Sequence, residues 1–235
     1  MKLFLTAIFS FLLLSAKAQT ADEIVQKYTQ AMGGMDVLSK VTSYKVTGTV
    51  SGNGVDMPIT TQVINGKSFR TDIDVMGQTI TMVYHNNAGW SINPFTGATE
   101  ATDVTGPQLA DFKSQTNLVT NLMDYKNRGH QLELLGTEDV ESVKTIKLRL
   151  TTKEDGRVFT YFINATDFTI MKSVTKREMQ GQEMDVESVF SNYKETGGIK
   201  FAYTRAQKVD GQTLQEMLVE KVELNVPVDE AIFKK

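Results

Sequence analysis

From Val41 to the C-terminus the side chains alternate between apolar and polar with a period of two, and short glycine-containing pairs interrupt the alternation at regular intervals. Phe69, Thr71, Ile73 and Val75 stand opposite Arg70, Asp72 and Asp74, which is how a strand with two different faces reads. Asn65-Gly66, Gly77-Gln78, Asp155-Gly156, Gln180-Gly181 and Asp210-Gly211 supply the interruptions. Gly and Asn accept the positive φ of tight hairpin turns, so successive strands joined by them are antiparallel neighbours. A chain built this way is confined to a meander. Strands are expected at 145–151, 157–163, 169–179, 183–192, 199–209 and 213–224, within a sheet of about ten.

Two segments break the period. Thr20-Ala21-Asp22-Glu23 has the spacing of a capping box, and Ile24, Tyr28 and Ala31 follow at helical spacing until Gly33-Gly34. Gly106-Pro107 leads into Leu109, Phe112, Val119 and Leu122, which predicts a second helix over 107–124 with Pro107 in its first turn. The expected fold class is mainly β with a few helices. An antiparallel sheet with one apolar face buries that face on a second sheet or curls around whatever fills its concavity. Two short helices cover limited area, which leaves room for an apolar ligand.

Lys2, the apolar run Leu3–Leu14 broken only by Thr6 and Ser10, and the small-x-small site Ser15-Ala16-Lys17-Ala18 read as a cleavable leader. The run falls short of the roughly 20 residues of a membrane-spanning helix. Cleavage after Ala18 leaves residues 19–235 as a single expected domain with no transmembrane segment, exported and periplasmic. No cysteine is present, so neither disulfides nor a lipid-anchored N-terminal cysteine are available. The net charge of −3 becomes more negative once Lys2 and Lys17 are removed, and Lys and Arg are scattered singly among acids. Such a distribution does not track phosphates, and nucleic acid is not an expected partner.

Catalytic patterns are missing. His85 and His130 stand outside any metal spacing and read as exposed-turn residues, and no cysteine completes a zinc site. Asp72 with Asp74, and Glu183, Asp185 and Glu187, read as solvated outer faces. There is no nucleophile elbow, phosphate loop or dinucleotide fingerprint, hence no expected cofactor and no expected enzyme. A hydrolase made of scattered acids and His130 is the weakest of the readings. Asn164-Ala165-Thr166 fits a glycosylation acceptor and reads as a turn. The 11 methionines suit an adaptable apolar surface as well as ordinary core filling.

Ala88-Gly89-Trp90-Ser91-Ile92-Asn93-Pro94-Phe95 resembles the Trp-bearing strand and Asn-Pro-Phe turn of LolA-type lipoprotein-sorting carriers. Three further stretches resemble the broader LolA-like group in the same order: Ala31-Met32-Gly33-Gly34-Met35-Asp36-Val37-Leu38, Leu134-Leu135-Gly136-Thr137-Glu138-Asp139-Val140, and Leu224-Asn225-Val226-Pro227-Val228-Asp229-Glu230-Ala231-Ile232-Phe233. The resemblance implies a curved antiparallel sheet forming an unclosed β-barrel covered by α-helices, with a cavity for the acyl chains of a lipoprotein or lipid. The carriers' early-hairpin arginine before a proline has no counterpart at Asn65-Gly66-Lys67, so no role carries over from there.

The candidate cavity lining combines both lines of argument. The alternating strands offer Phe69, Ile73, Ile80, Met82, Tyr84, Leu148, Phe159, Tyr161 and Phe201; the second helix offers Leu109 and Phe112; the matched motif offers Trp90, Ile92 and Phe95. The expected function is a non-catalytic periplasmic carrier of acyl chains. The alternative is an envelope protein-interaction or sensor module with the same fold and a filled cavity, acting through an edge strand.

Overall fold

The computed structural model describes residues 19–179 and 181–235. The expected leader at 1–18 and the Gln180 half of one expected turn lie outside them. Helix α1 (Ala21–Ala31) opens with the expected capping box: the Thr20 hydroxyl accepts from the Glu23 amide at 3.2 Å, and the Glu23 carboxylate accepts from the Thr20 amide at 3.1 Å. Its Ile24, Val25 and Tyr28 are buried. Gly33 ends this region at φ +124°, and a Cβ there would sit 2.5 Å from the Gly198 carbonyl oxygen. Only glycine lets the helix end dock so closely on the sheet. A four-residue helix, α2 (Met35–Leu38), follows.

Six strands come next: β1 (Ser43–Gly52), β2 (Val55–Ile64), β3 (Ser68–Val75), β4 (Gln78–His85), β5 (Ala88–Asn93) and β6 (Ala98–Val104). Helix α3 (Gly106–Ser114) crosses to the second run. That run is β7 (Gln131–Val140), β8 (Val143–Thr151), β9 (Val158–Asn164), β10 (Ile170–Met179), β11 (Gln182–Thr196), β12 (Ile199–Val209) and β13 (Gln212–Leu224). One sheet contains all thirteen, in the order β6-β5-β4-β3-β2-β1-β13-β12-β11-β10-β9-β8-β7. Every neighbouring pair is antiparallel, and the first strand pairs with the last. Edges β6 and β7 do not pair, so the barrel stays open.

Bulges bend the sheet. The register shifts at Thr47/Gly48 against β13, at Gln207/Lys208 between β12 and β13, and at Ile170/Lys172 between β9 and β10. Each extra residue kinks its strand and increases the local twist. At the first of these a Cβ on Gly48 would lie 2.1 Å from the Leu218 carbonyl oxygen, so the two backbones need glycine to approach.

Two expectations need correcting here. The helix expected over 107–124 ends at Ser114, although Pro107 does stand in its first turn. Ser114 Oγ donates to the Asp111 carbonyl and Thr116 Oγ1 to the Lys113 carbonyl, both at about three residues' reach. Such local bonds compete with helix continuation, and residues 115–129 run as turns. His130 is buried rather than exposed, its Nδ1 accepting from the Lys153 amide at 3.2 Å. Asn164 forms the expected turn, its side chain accepting from the Thr166 amide at 2.8 Å.

Three apolar clusters form. One gathers Val46, Val63, Phe69, Tyr84, Phe201 and Val222 beneath α2 and α3. A second gathers Ile146, Leu148, Leu150 and Ile163 beneath α1 and Leu122. A third, Val83, Trp90 and Phe233, lies on the opposite face, where the C-terminal 3-10 turn Glu230–Phe233 packs.

Candidate functional site

The concave face can be traced by following directly opposed residues from strand to strand, because cross-strand partners share a face. Val63, Phe69 and Tyr84 are successive partners, as are Ile59, Ile73 and Ile80. Leu148 with Tyr161, and Leu150 with Phe159, continue the face on the other lobe. Phe201 lies in the first cluster. Leu109 and Phe112 come down from α3, where Phe112 meets Phe69 edge to face at 5.2 Å between ring centroids.

Eleven of the fourteen expected lining residues therefore share the concavity. Trp90, Ile92 and Phe95 do not. Trp90 opposes Val83 and Ile92 opposes Thr81, which puts both on the convex face. Trp90 donates from Nε1 to the Phe233 carbonyl at 3.1 Å and is sealed beneath the C-terminal turn. Phe95 sits in a 3-10 turn and is half exposed, at 51 %. Trp90 and Ile92 depart from expectation because a motif gives residue identities and not the register that decides which way each points. The same strap covers Asp72, which is partly buried and paired with Arg70 at 2.7 Å rather than free in solvent. Arg70 in turn donates to the Ile232 carbonyl.

The cover over the concavity has three parts. Helix α1 lies on the second cluster, α2 and α3 on the first, and 115–129 runs between. This segment is held at its start by the Gly66 amide, which donates to the Thr116 carbonyl at 2.8 Å, and by the Leu118 amide, which donates to Asn65 at 3.1 Å. Asp111 of α3 pairs with Arg157 and, at 3.3 Å, with Arg177. The helix thus spans from the β4–β5 side, which it packs against, to the β9–β10 side, and clasps the open barrel. A surface groove of about 710 Å³ lies between α1 and α2 on one side and residues 123–127 on the other.

Between the two concave clusters the face becomes polar. Tyr28 of α1 belongs to one and Tyr44 of β1 to the other. Burial pushes each phenol up to about 12, with the Thr120 side chain and the Arg205 guanidinium respectively acting the other way. Tyr161 and Tyr193 are raised further, first by burial and then by Tyr28. Arg205 follows Ile199, Phe201 and Tyr203 on the inward positions of β12 and opposes Met217. It is open to solvent, yet desolvation by surrounding protein is the largest influence on its guanidinium and lowers its pKa. Sequence reasoning missed it, although a charge at the next inward position after Ile199, Phe201 and Tyr203 was the available signal.

Among the described residues no three His, Cys, Asp or Glu side chains gather as a metal site, and no helix is long and apolar enough to cross a membrane.

No protein-family model matches the chain, and no curated protein matches it. Solved structures do. A LolA superfamily protein from Nitrosomonas europaea superposes with a TM-score of 0.61 at 13% identity, covering 93% of this chain and 99% of the other. The chain has the LolA-like fold. An outer membrane lipoprotein-sorting protein domain from Vibrio parahaemolyticus gives 0.57 at 13% identity over 91% of this chain and 95% of the other. A DUF1329 family protein from Desulfovibrio piger gives 0.62 at 11% identity over 92% and 98%. At such identities the LolA-like likeness extends to the fold and to no individual residue. The mainly β, unclosed sheet with helical cover agrees with the fold expected from the sequence.

Proposed function

We propose that this protein is a non-catalytic periplasmic carrier that holds the acyl chains of a lipoprotein or lipid on the concave face of its sheet. The observation that supports this most is the make-up of the concavity: apolar side chains from many strands face a cover made of three short helices and a run of turns. A cover of turns can move without unfolding a helix, and Leu122, Met123 and Tyr125 would swing out with it to admit a chain. Apolar burial then supplies affinity at roughly 0.8 kcal/mol per CH₂. The lipoprotein-sorting description of a structural neighbour is in keeping with this reading.

Titration of the mature chain with an environment-sensitive acyl probe tests the proposal. Saturable uptake near one to one, displaced by unlabelled lipid, is the expected outcome. Absence of uptake over the micromolar range contradicts it.

A second reading has its own observation. Edge strand β7 is exposed along nearly its whole length, with Leu134 and Leu135 each 38 % exposed. An unpaired edge of this kind is a template for strand addition by a protein partner. A proline placed at an outward-facing amide of β7 would abolish capture of such a partner while leaving acyl uptake intact.

A further inference from the structure

Arg205 has no carboxylate beside it. Among the described residues its one hydrogen bond runs from Nε to the Ala202 carbonyl at 3.3 Å, and the titratable groups that bear on it are the neutral phenols of Tyr44 and Tyr193. Asp167 bears on Tyr193 and not on the arginine. A guanidinium carries five donors in a planar fork suited to carboxylate and phosphate. Most of that fork is unused here. The guanidinium instead stands exposed at the end of an otherwise apolar inward row, Ile199, Phe201 and Tyr203, with its free donors open to a ligand.

The surface leading away from it is apolar. Arg205 opposes Met217, which opposes Val50, which opposes Met57. One step along, Ile59, Ile73 and Ile80 carry the same face to β4. From β12 to β4 is five strand spacings, about 24 Å along the sheet at ~4.8 Å each. A charged end joined to an apolar strip of that length matches an extended single-chain amphiphile.

We propose that Arg205, flanked by Tyr193 and Tyr44, is the head-group subsite of the concavity and binds the anionic oxygen group of an acyl ligand, a carboxylate or a phosphate, whose chain lies across Met217, Val50 and Met57. The inference rests on the carrier reading and narrows it from any acyl chain to amphiphiles bearing an anionic head. Neutral esters and alcohols of equal chain length bind through the apolar strip alone.

Calorimetric titration of the full mature chain at pH 8 with dodecanoate, dodecyl phosphate and dodecanol tests it. Both anions, or one of them, are expected to bind at least about tenfold tighter than dodecanol, in line with charge-assisted hydrogen bonds. Whichever anion is favoured tells a free fatty acid from a phosphate head group. Arg205→Met should bring the anions down to the dodecanol level and leave dodecanol unchanged, with a melting temperature no lower than wild type. Arg205→Gln serves the same purpose should the methionine variant fold poorly. Equal binding of all three ligands in wild type, or anion binding unaffected by either variant, overturns the head-group assignment while the carrier reading stands. Failure of all three to bind overturns both.

Discussion

Phe69 shows what a single side chain contributes to this fold. It is fully buried, touches Phe112 of the cover and opposes Tyr84, so it ties sheet to helix. Phe69→Ala is expected to cost about 3–5 kcal/mol, read as a lowered midpoint in urea denaturation. The buried phenols give a pH signature. Tyr28 is pushed from 10.0 to about 12, so the folded state holds its proton where the unfolded chain releases it. That contribution is complete below pH 10 and is lost as pH rises toward 12. Linkage puts it at roughly 3 kcal/mol. Stability measured across pH 9–12 should fall less steeply in Tyr28→Phe than in wild type. At this scale the sequence was legible for inward positions such as Phe69, Tyr84, Leu148 and Phe201, because alternation alone assigns a face. It was not legible for Trp90, whose direction depends on its register with Val83.

Whole elements behave as clasps. The C-terminal turn packs Phe233 on Trp90, the only tryptophan in the chain, with Val228 and Ile232 beside it. Phe233→Ala is expected to shift Trp90 emission to longer wavelength in the native state and to cost about 3–5 kcal/mol in denaturant. An unchanged spectrum would mean that the strap does not shield the indole. Helix α3 is the second clasp, held across the opening through Asp111, Arg157 and Arg177. These pairs are only partly buried, so Asp111→Asn should cost no more than about 1 kcal/mol of global stability. Its larger effect is expected in hydrogen exchange, as faster exchange of amides in 107–129 and little change in β11–β13. Strand positions were readable to within a residue or two for β9, β10, β12 and β13, since turns and alternation agree there. The second helix was overread because Val119 and Leu122 keep helical spacing by coincidence, while Ser114 and Thr116 bond locally and end the helix.

The whole molecule is a curved sheet whose two lobes are each packed by their own helices and whose middle carries a polar seam. The lobes follow from ordinary hydrophobic pattern. The middle follows from a tertiary arrangement: Tyr28, Tyr44, Tyr193 and Arg205 lie on four different elements, and only Tyr193 and Arg205, on the β11–β12 hairpin, are near each other in sequence. That is why the general architecture was accessible from the sequence and the polar seam was not. The central claim is that the concavity holds acyl chains, and native mass spectrometry of the protein expressed as the full chain and recovered from cells tests it most directly. The expected result is a mass above that of the bare chain by one lipid or lipopeptide, recoverable by organic extraction. A bare mass that persists after incubation with added lipid would contradict the account.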